Sequence, residues 1–220
     1  MSIGDWQIRC DRQTLDKCLK DEKFPYIVAL ARAVNALRFV HTAMRHAGNG
    51  DAPEAQRARM NSYLFASAIL YEALHLVEAM NKPFRDEPEF QNDLRLLLRD
   101  KTVRELKQVH LNPVRNNAVF HFEAERFAET LRQTISDGCI FLVARGNPTN
   151  DVHYSFADIV AGEILVGSVG GTEVFYSKLE TAMVDTRTLL KDFLERAEKL
   201  INHHLAAWGF QNAVVSQRSA

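Results

Sequence analysis

Between Asn112 and Phe122 the chain reads NPVRNNAVFHF, and four of these residues can do chemistry: Arg115, Asn116, Asn117 and His121. Imidazole titrates near neutral pH and moves a proton in either direction. A guanidinium stays charged and offers a planar donor fork to phosphate oxygens, where charge builds during transfer. An amide orients a phosphate or a ribose without titrating. Together these groups suit phosphodiester chemistry, and none of the roles requires a metal. Asn117 and His121 are four residues apart and share a helix face. Arg115 and His121 are six apart, about 600° of helical rotation, so they do not stack directly. They converge only through the reach of the arginine, an irregular first turn, or a second subunit.

Asn112 is a good N-cap residue and Pro113 suits a first helical position, so a helix is expected to start here. Val114, Ala118, Val119 and Phe122 supply its apolar contacts. Glu72 and Glu78, on a helix expected to be central, are candidate partners for Arg115 or His121. A core glutamate capping an arginine is the plainer role for either.

The arrangement of Arg115 and Asn116, four further residues, then His121 resembles the R-x(4–6)-H signature of the HEPN superfamily, in which a polar residue follows the arginine. The loose spacing also occurs at Arg104/His110 and Arg196/His203, but only Arg115 is followed by Asn, Asp or His. The resemblance covers about ten residues directly and the general layout of 23–135; residues 136–220 fall outside it. It implies a helical bundle that forms a homodimer with the two motifs facing each other. In active members it implies metal-independent RNA cleavage by attack of the ribose 2′-OH, leaving a cyclic phosphate. Arg115 would then stabilise phosphorane-like charge, Asn116 orient the phosphate or ribose, and His121 transfer the proton. Asn117, Arg104 and Lys107 would contact the RNA substrate. Many members are toxins, with an antitoxin or other protein partner, or phage-defence effectors; some are non-catalytic modules that bind RNA, a nucleotide or a protein. An unrelated helical interaction protein with a structural motif is the third alternative.

The chain has 220 residues, 46% hydrophobic and 25% charged, enough for one large domain with a proper core. A formal net charge of −1 argues against a broad, sequence-independent nucleic-acid surface. Between Leu94 and Arg115, however, six basic residues face two acidic ones. Cys10, Cys18 and Cys139 form no C-x-x-C pair, which fits a reducing compartment. The N-terminus lacks the apolar run of a signal peptide, and no apolar stretch is read as spanning a bilayer. The expectation is a cytoplasmic protein without cofactor or membrane partner.

The fold expected is all-α, an antiparallel bundle with a small β-hairpin in the C-terminal third. Residues 1–137 would form the HEPN-like bundle, and 138–220 a hairpin, a linker and a long helix packing on it as one compact domain. Over 26–46 an apolar stripe of Ala29, Ala33, Leu37, Val40 and Met44 predicts a long helix. Pro53 opens the next, which runs to about Met80 on Tyr63, Leu64, Leu70, Leu74 and Val77. Thr102 and Glu105 fit a capping box for a short helix stopping before Asn112. The motif helix continues through Phe127 and Leu131. CIFLVARG and DVHYSF flank the turn cluster Gly146-Asn147-Pro148, the source of the hairpin. Ser155 and Asp158 suit the start of a helix through Leu165, and GSVGG (167–171) a linker. Ser177 and Glu180 form a second capping box, opening a helix to Trp208 that stops at Gly209.

Two other constellations are weaker. Glu72 and His75 make half of a di-iron E-x-x-H signature, and the second half is missing. His203 and His204 are adjacent on a helix, about 100° apart, which suits surface histidines better than a shared zinc site.

Overall fold

The computed structural model describes residues 12–47, 53–116, 124–134, 144–145, 152–153, 160–164 and 172–209. These form helices packed against one another, as the apolar periodicity predicts. A short helix α1 (Arg12–Cys18) precedes α2 (Phe24–His46). Pro25 lies in the first turn of α2, where its missing N–H costs no hydrogen bond. The buried stripe of α2 is Ile27, Leu30, Val34, Leu37 and Val40. It is rotated from the predicted one: Ala29 is exposed, and Ala33 and Met44 sit at the edge of the core. The larger side chains win the interior because they remove more apolar area from water. Contrary to expectation, α2 is long and apolar enough to cross a bilayer by length and composition. In this fold its stripe packs on α3 (Pro53–Ala79) and on the final long helix.

Helix α3 is central, touching α2, the final helix and the segment around the motif. Ala66, Ser67, Ala68 and Ala73 are buried along it and let its neighbours approach closely. The Ser67 hydroxyl donates to the Tyr63 carbonyl at 2.8 Å, so its burial leaves no polar group unpaired.

From Phe90 to Asn116 the chain is a run of short α and π turns. A π turn (Phe90–Leu94) leads into α4 (Leu96–Arg99). Asp100 breaks the helix in extended conformation and caps α5 (Lys101–Leu106), accepting from the N–H groups of Thr102 at 2.8 Å and Val103 at 3.3 Å. The cap is therefore Asp100, not the expected Thr102 and Glu105 box; Glu105 instead meets Lys101 at 3.5 Å. Asp100→Ala is expected to cost about 1 kcal/mol, read as a lower urea midpoint at unchanged slope.

The motif does not start a separate helix at Asn112, because the helical run is already continuous there. Helix α5 continues through a π turn (Lys107–Leu111) into α6 (Asn112–Val114), with Asn112 helical at φ −63°, ψ −50°. Two features of the sequence explain the π turn. Leu106 and Leu111 are both buried but five residues apart, too far for one face of an α-helix, and the wider turn brings both inward while Val109 faces solvent. The wide turn also precedes Pro113, which has no N–H to donate and whose ring would crowd a regular helix.

Helix α7 (Ala124–Thr134) follows. Two-residue strands, β1 (Ala144–Arg145) and β2 (Val152–His153), pair antiparallel as Ala144 with His153 and Arg145 with Val152. The Gly146-Asn147-Pro148 turn, the caps at Ser155 and Asp158, and the glycines of 167–171 lie outside the described residues. A helical segment over 160–164 (α8) precedes α9 (Thr172–Ala207). Because α9 begins at Thr172, Ser177 is inside it rather than at its cap. The helix stops where expected, at Gly209, whose φ of +83° is the left-handed conformation that favours glycine.

The main core joins α2, α3, the 90–111 run and α9 around Phe84, Phe90 and Phe193, all fully buried. A second cluster brings Val114 against Leu64 of α3, Ala161 and Ile164 of α8, and Leu179 and Ala182 of α9. Val114 is thereby an anchor immediately before Arg115.

Candidate functional site

With Val114 pinned in the second cluster, Arg115 emerges beside α3. Its Nε donates to Glu72 Oε1 at 2.6 Å, and its Nη1 to Asn116 Oδ1 at 2.8 Å. The Asn116 amide in turn donates from Nδ2 to Asn112 Oδ1 at 2.7 Å. Three residues of the motif thus form one relay, with Glu72 as its outside support. The arginine side chain is 32% exposed and Glu72 47% exposed, so the pair sits at the surface and not in the core. Two guanidinium nitrogens are fixed in direction by these bonds, which suits a donor that must meet an anion in one orientation. His121 and Asn117 lie outside the described residues.

One helical face further along, Lys107 Nζ binds Glu78 Oε1 at 2.6 Å and lies 5.5 Å above the Tyr71 ring. His75 Nδ1 reaches the other Glu78 oxygen, Oε2, at 3.1 Å, and its ring packs edge-on against Tyr71. Both carboxylate oxygens of Glu78 are therefore engaged, and Lys107, at 14% side-chain exposure, is largely withdrawn from solvent. Arg104 differs. It is exposed and makes no side-chain bond among the described residues. Arg104, Lys107, Gln108 and Asn112 line one side of a half-open cleft of about 210 Å³, and Tyr71 and Glu78 line the facing side. Two of the three expected substrate-contacting residues thus share this cleft, which Asn112 joins to Arg115.

A second, mostly apolar groove of about 310 Å³ runs between α2 and α3 along Ala29, Ala33, Ala36 and Ala73. Glu72 and Arg32 stand on it, so the carboxylate that holds Arg115 also borders this groove. Close to the second cluster, the carboxyl of Glu163 in α8 is buried, and burial pushes its pKa up.

Glu72 and Glu78 were identifiable as candidate partners as acids on the central helix; Glu72 meets Arg115, and Glu78 meets Lys107 instead. Tyr71, Gln108 and the relay role of Asn112 were not. Asn112 looks like a cap in sequence, whereas in the structure it is a helical residue whose amide meets Asn116 four residues on. Glu72 and His75, the half-signature of a metal pair, are bonded to Arg115 and Glu78 respectively.

No family model, curated protein or solved structure matches the chain. The resemblance to the HEPN superfamily is carried by the motif alone.

Proposed function

We propose that the protein is a metal-independent HEPN-type endoribonuclease acting through Arg115, Asn116 and His121. The observation that carries this reading is the Arg115 guanidinium, part-exposed and held in direction by Glu72 and Asn116, with Asn112 linking it to the neighbouring cleft. Arg115 stabilises the charge that builds on the phosphate, Asn116 holds the arginine and the phosphate in register, and His121 moves the proton of the ribose 2′-OH. Arg104 contacts the substrate backbone and Asn117 assists His121. The open groove beside Glu72 supports a homodimer in which a second motif approaches the first. A role as a toxin or phage-defence effector follows from the resemblance, as does a cytoplasmic location.

The same geometry favours a second reading, a non-catalytic HEPN-like module that binds RNA, a nucleotide or a protein. Glu72 offsets the charge of Arg115 and Glu78 that of Lys107, which weakens the field available to a transition state.

Mixed RNA incubated with purified protein in EDTA separates the two. Cleavage is expected, with cyclic-phosphate ends, falling roughly 100-fold or more in His121→Ala and in Arg115→Ala. Both variants must first match the native melting point and mass. Cleavage indifferent to both changes sinks the proposal. RNA retained without cleavage transfers it to the binding module.

A further inference from the structure

We infer that the cleft between α3 and the 101–112 run is a nucleobase pocket, holding the base of a nucleotide whose phosphate lies on Arg104. The inference deepens the proposed function, since it rests on that reading for the identity of the substrate as RNA.

Three properties of the cleft point to this ligand. Its volume of about 210 Å³ is below the ~300–1,000 Å³ of most small-molecule sites, so it suits one flat ring system and not a whole nucleotide. Its inner wall is apolar, formed by Leu74, Leu98 and Val103, all on or against the main core. A base gains by leaving water for such a wall. Its mouth carries uncommitted polar groups. Gln108 is exposed and makes no side-chain bond among the described residues. Asn112 spends its Oδ1 on Asn116, which leaves its NH₂ without an acceptor among the described residues. Amides with open donors and acceptors are the groups that read base edges.

Charge is arranged to match. Arg104 is the cation of this cleft with no acidic partner among the described residues, whereas Lys107 is neutralised by Glu78. An anionic group is therefore drawn to the Arg104 end. At the opposite end, the Asn112–Asn116–Arg115 relay connects the pocket to the motif. Along a helical run Arg104 and Arg115 are separated by eleven residues, roughly 16 Å at 1.5 Å per residue. A base seated between them has one phosphate on each side, so the pocket would choose which nucleotide neighbours the scissile bond.

Direct binding of the four nucleoside 5′-monophosphates, followed by calorimetry with the full-length protein, tests this without any cleavage. Inorganic phosphate serves as the probe for a bare anion site. Expected is saturable binding with a preference among the four bases, weakened about tenfold or more by Arg104→Gln and losing its base preference in Gln108→Ala. Both residues are exposed, so both variants are expected to fold, and matching melting curves would verify it. The pocket is overturned if no monophosphate saturates at millimolar concentration. It is equally overturned if phosphate alone binds as tightly, or if neither variant changes the isotherm. Binding with the expected preference in a protein that cleaves nothing would uphold the pocket and remove the nuclease. Cleavage by a protein that fails the binding assay would do the reverse.

Discussion

Phe193→Ala is expected to destabilise the protein by about 3–5 kcal/mol, the range for an aromatic ring removed from a close-packed interior. Phe193 has no accessible surface and sits mid-way along α9 between Leu190 and Ala197. Its cluster draws side chains from α2, α3 and the 90–111 run, so the ring is shared by the elements that build the main core. The variant leaves a void that rigid helices fill only in part, and the loss is transfer energy plus cavity. Urea unfolding should show a much lower midpoint with the slope retained. Val184→Ala, an exposed position on the same helix, supplies the control and should stay within about 0.5 kcal/mol. A Phe193 variant as stable as that control would mean that α9 does not hold the core together.

The second large effect is expected at Glu87. One carboxylate oxygen binds Lys23 Nζ and the other lies 2.9 Å from Nε2 of His204, which is buried against Phe84 and Trp208. Asp21 adds a bond from Trp208 Nε1 at 3.1 Å. The network joins the start of α2, the turn after α3 and the end of α9. Glu87→Ala leaves the buried His204 imidazole and the part-exposed Lys23 ammonium without their acceptor, at a cost of about 2–3 kcal/mol; full burial of both would raise that to ~3–5. A loss below 1 kcal/mol would show that water enters and replaces the carboxylate.

The pH dependence follows from the same cluster. Burial pushes the His204 pKa down and outweighs the neighbouring Glu87 carboxylate, which pulls it up. A histidine with a folded pKa below its ordinary ~6.5 contributes stability that is complete above that value and is lost as pH falls through the folded one. Stability should therefore decline from about pH 7 toward pH 5, and His204→Gln should flatten that slope. Glu87→Gln should steepen it, because the carboxylate is what favours the charged ring. On the alkaline side Lys23 behaves oppositely. Its hydrogen bond to Glu87 raises its pKa, so its contribution is complete below the ordinary lysine value and disappears as pH rises through the raised one.

Long amphipathic stripes were legible in the sequence. Helices α2, α3 and α9 follow from apolar residues at three- and four-residue steps, and the stop at Gly209 from its freedom at positive φ. Local cap patterns were poorer guides: Ser177 and Glu180 match a capping box, but the helix already begins at Thr172 and runs through them. His204 was read as a surface residue from its pairing with His203. Its spacing from Leu200 and Ile201 already places it on the buried face of α9, and its acceptor is supplied by a residue far away in sequence. For the candidate site, Glu72 was legible as an acid on the central helix able to hold Arg115. The cleft was not, because its two walls come from α3 and from residues 98–112, segments distant in sequence.

That π turn works as a spacer of a single residue in the gearing between two helix surfaces. Upstream of it, α5 is phased so that Leu106 meets the core; downstream, α6 is phased by Leu111 and Val114. Removing one residue from the exposed side of the turn would re-phase everything after it by about 100°. Arg115 would swing away from Glu72 while each short helix kept its own hydrogen bonds. Chain length between Leu106 and Leu111, more than the identity of any one side chain there, sets the angle at which the guanidinium is presented.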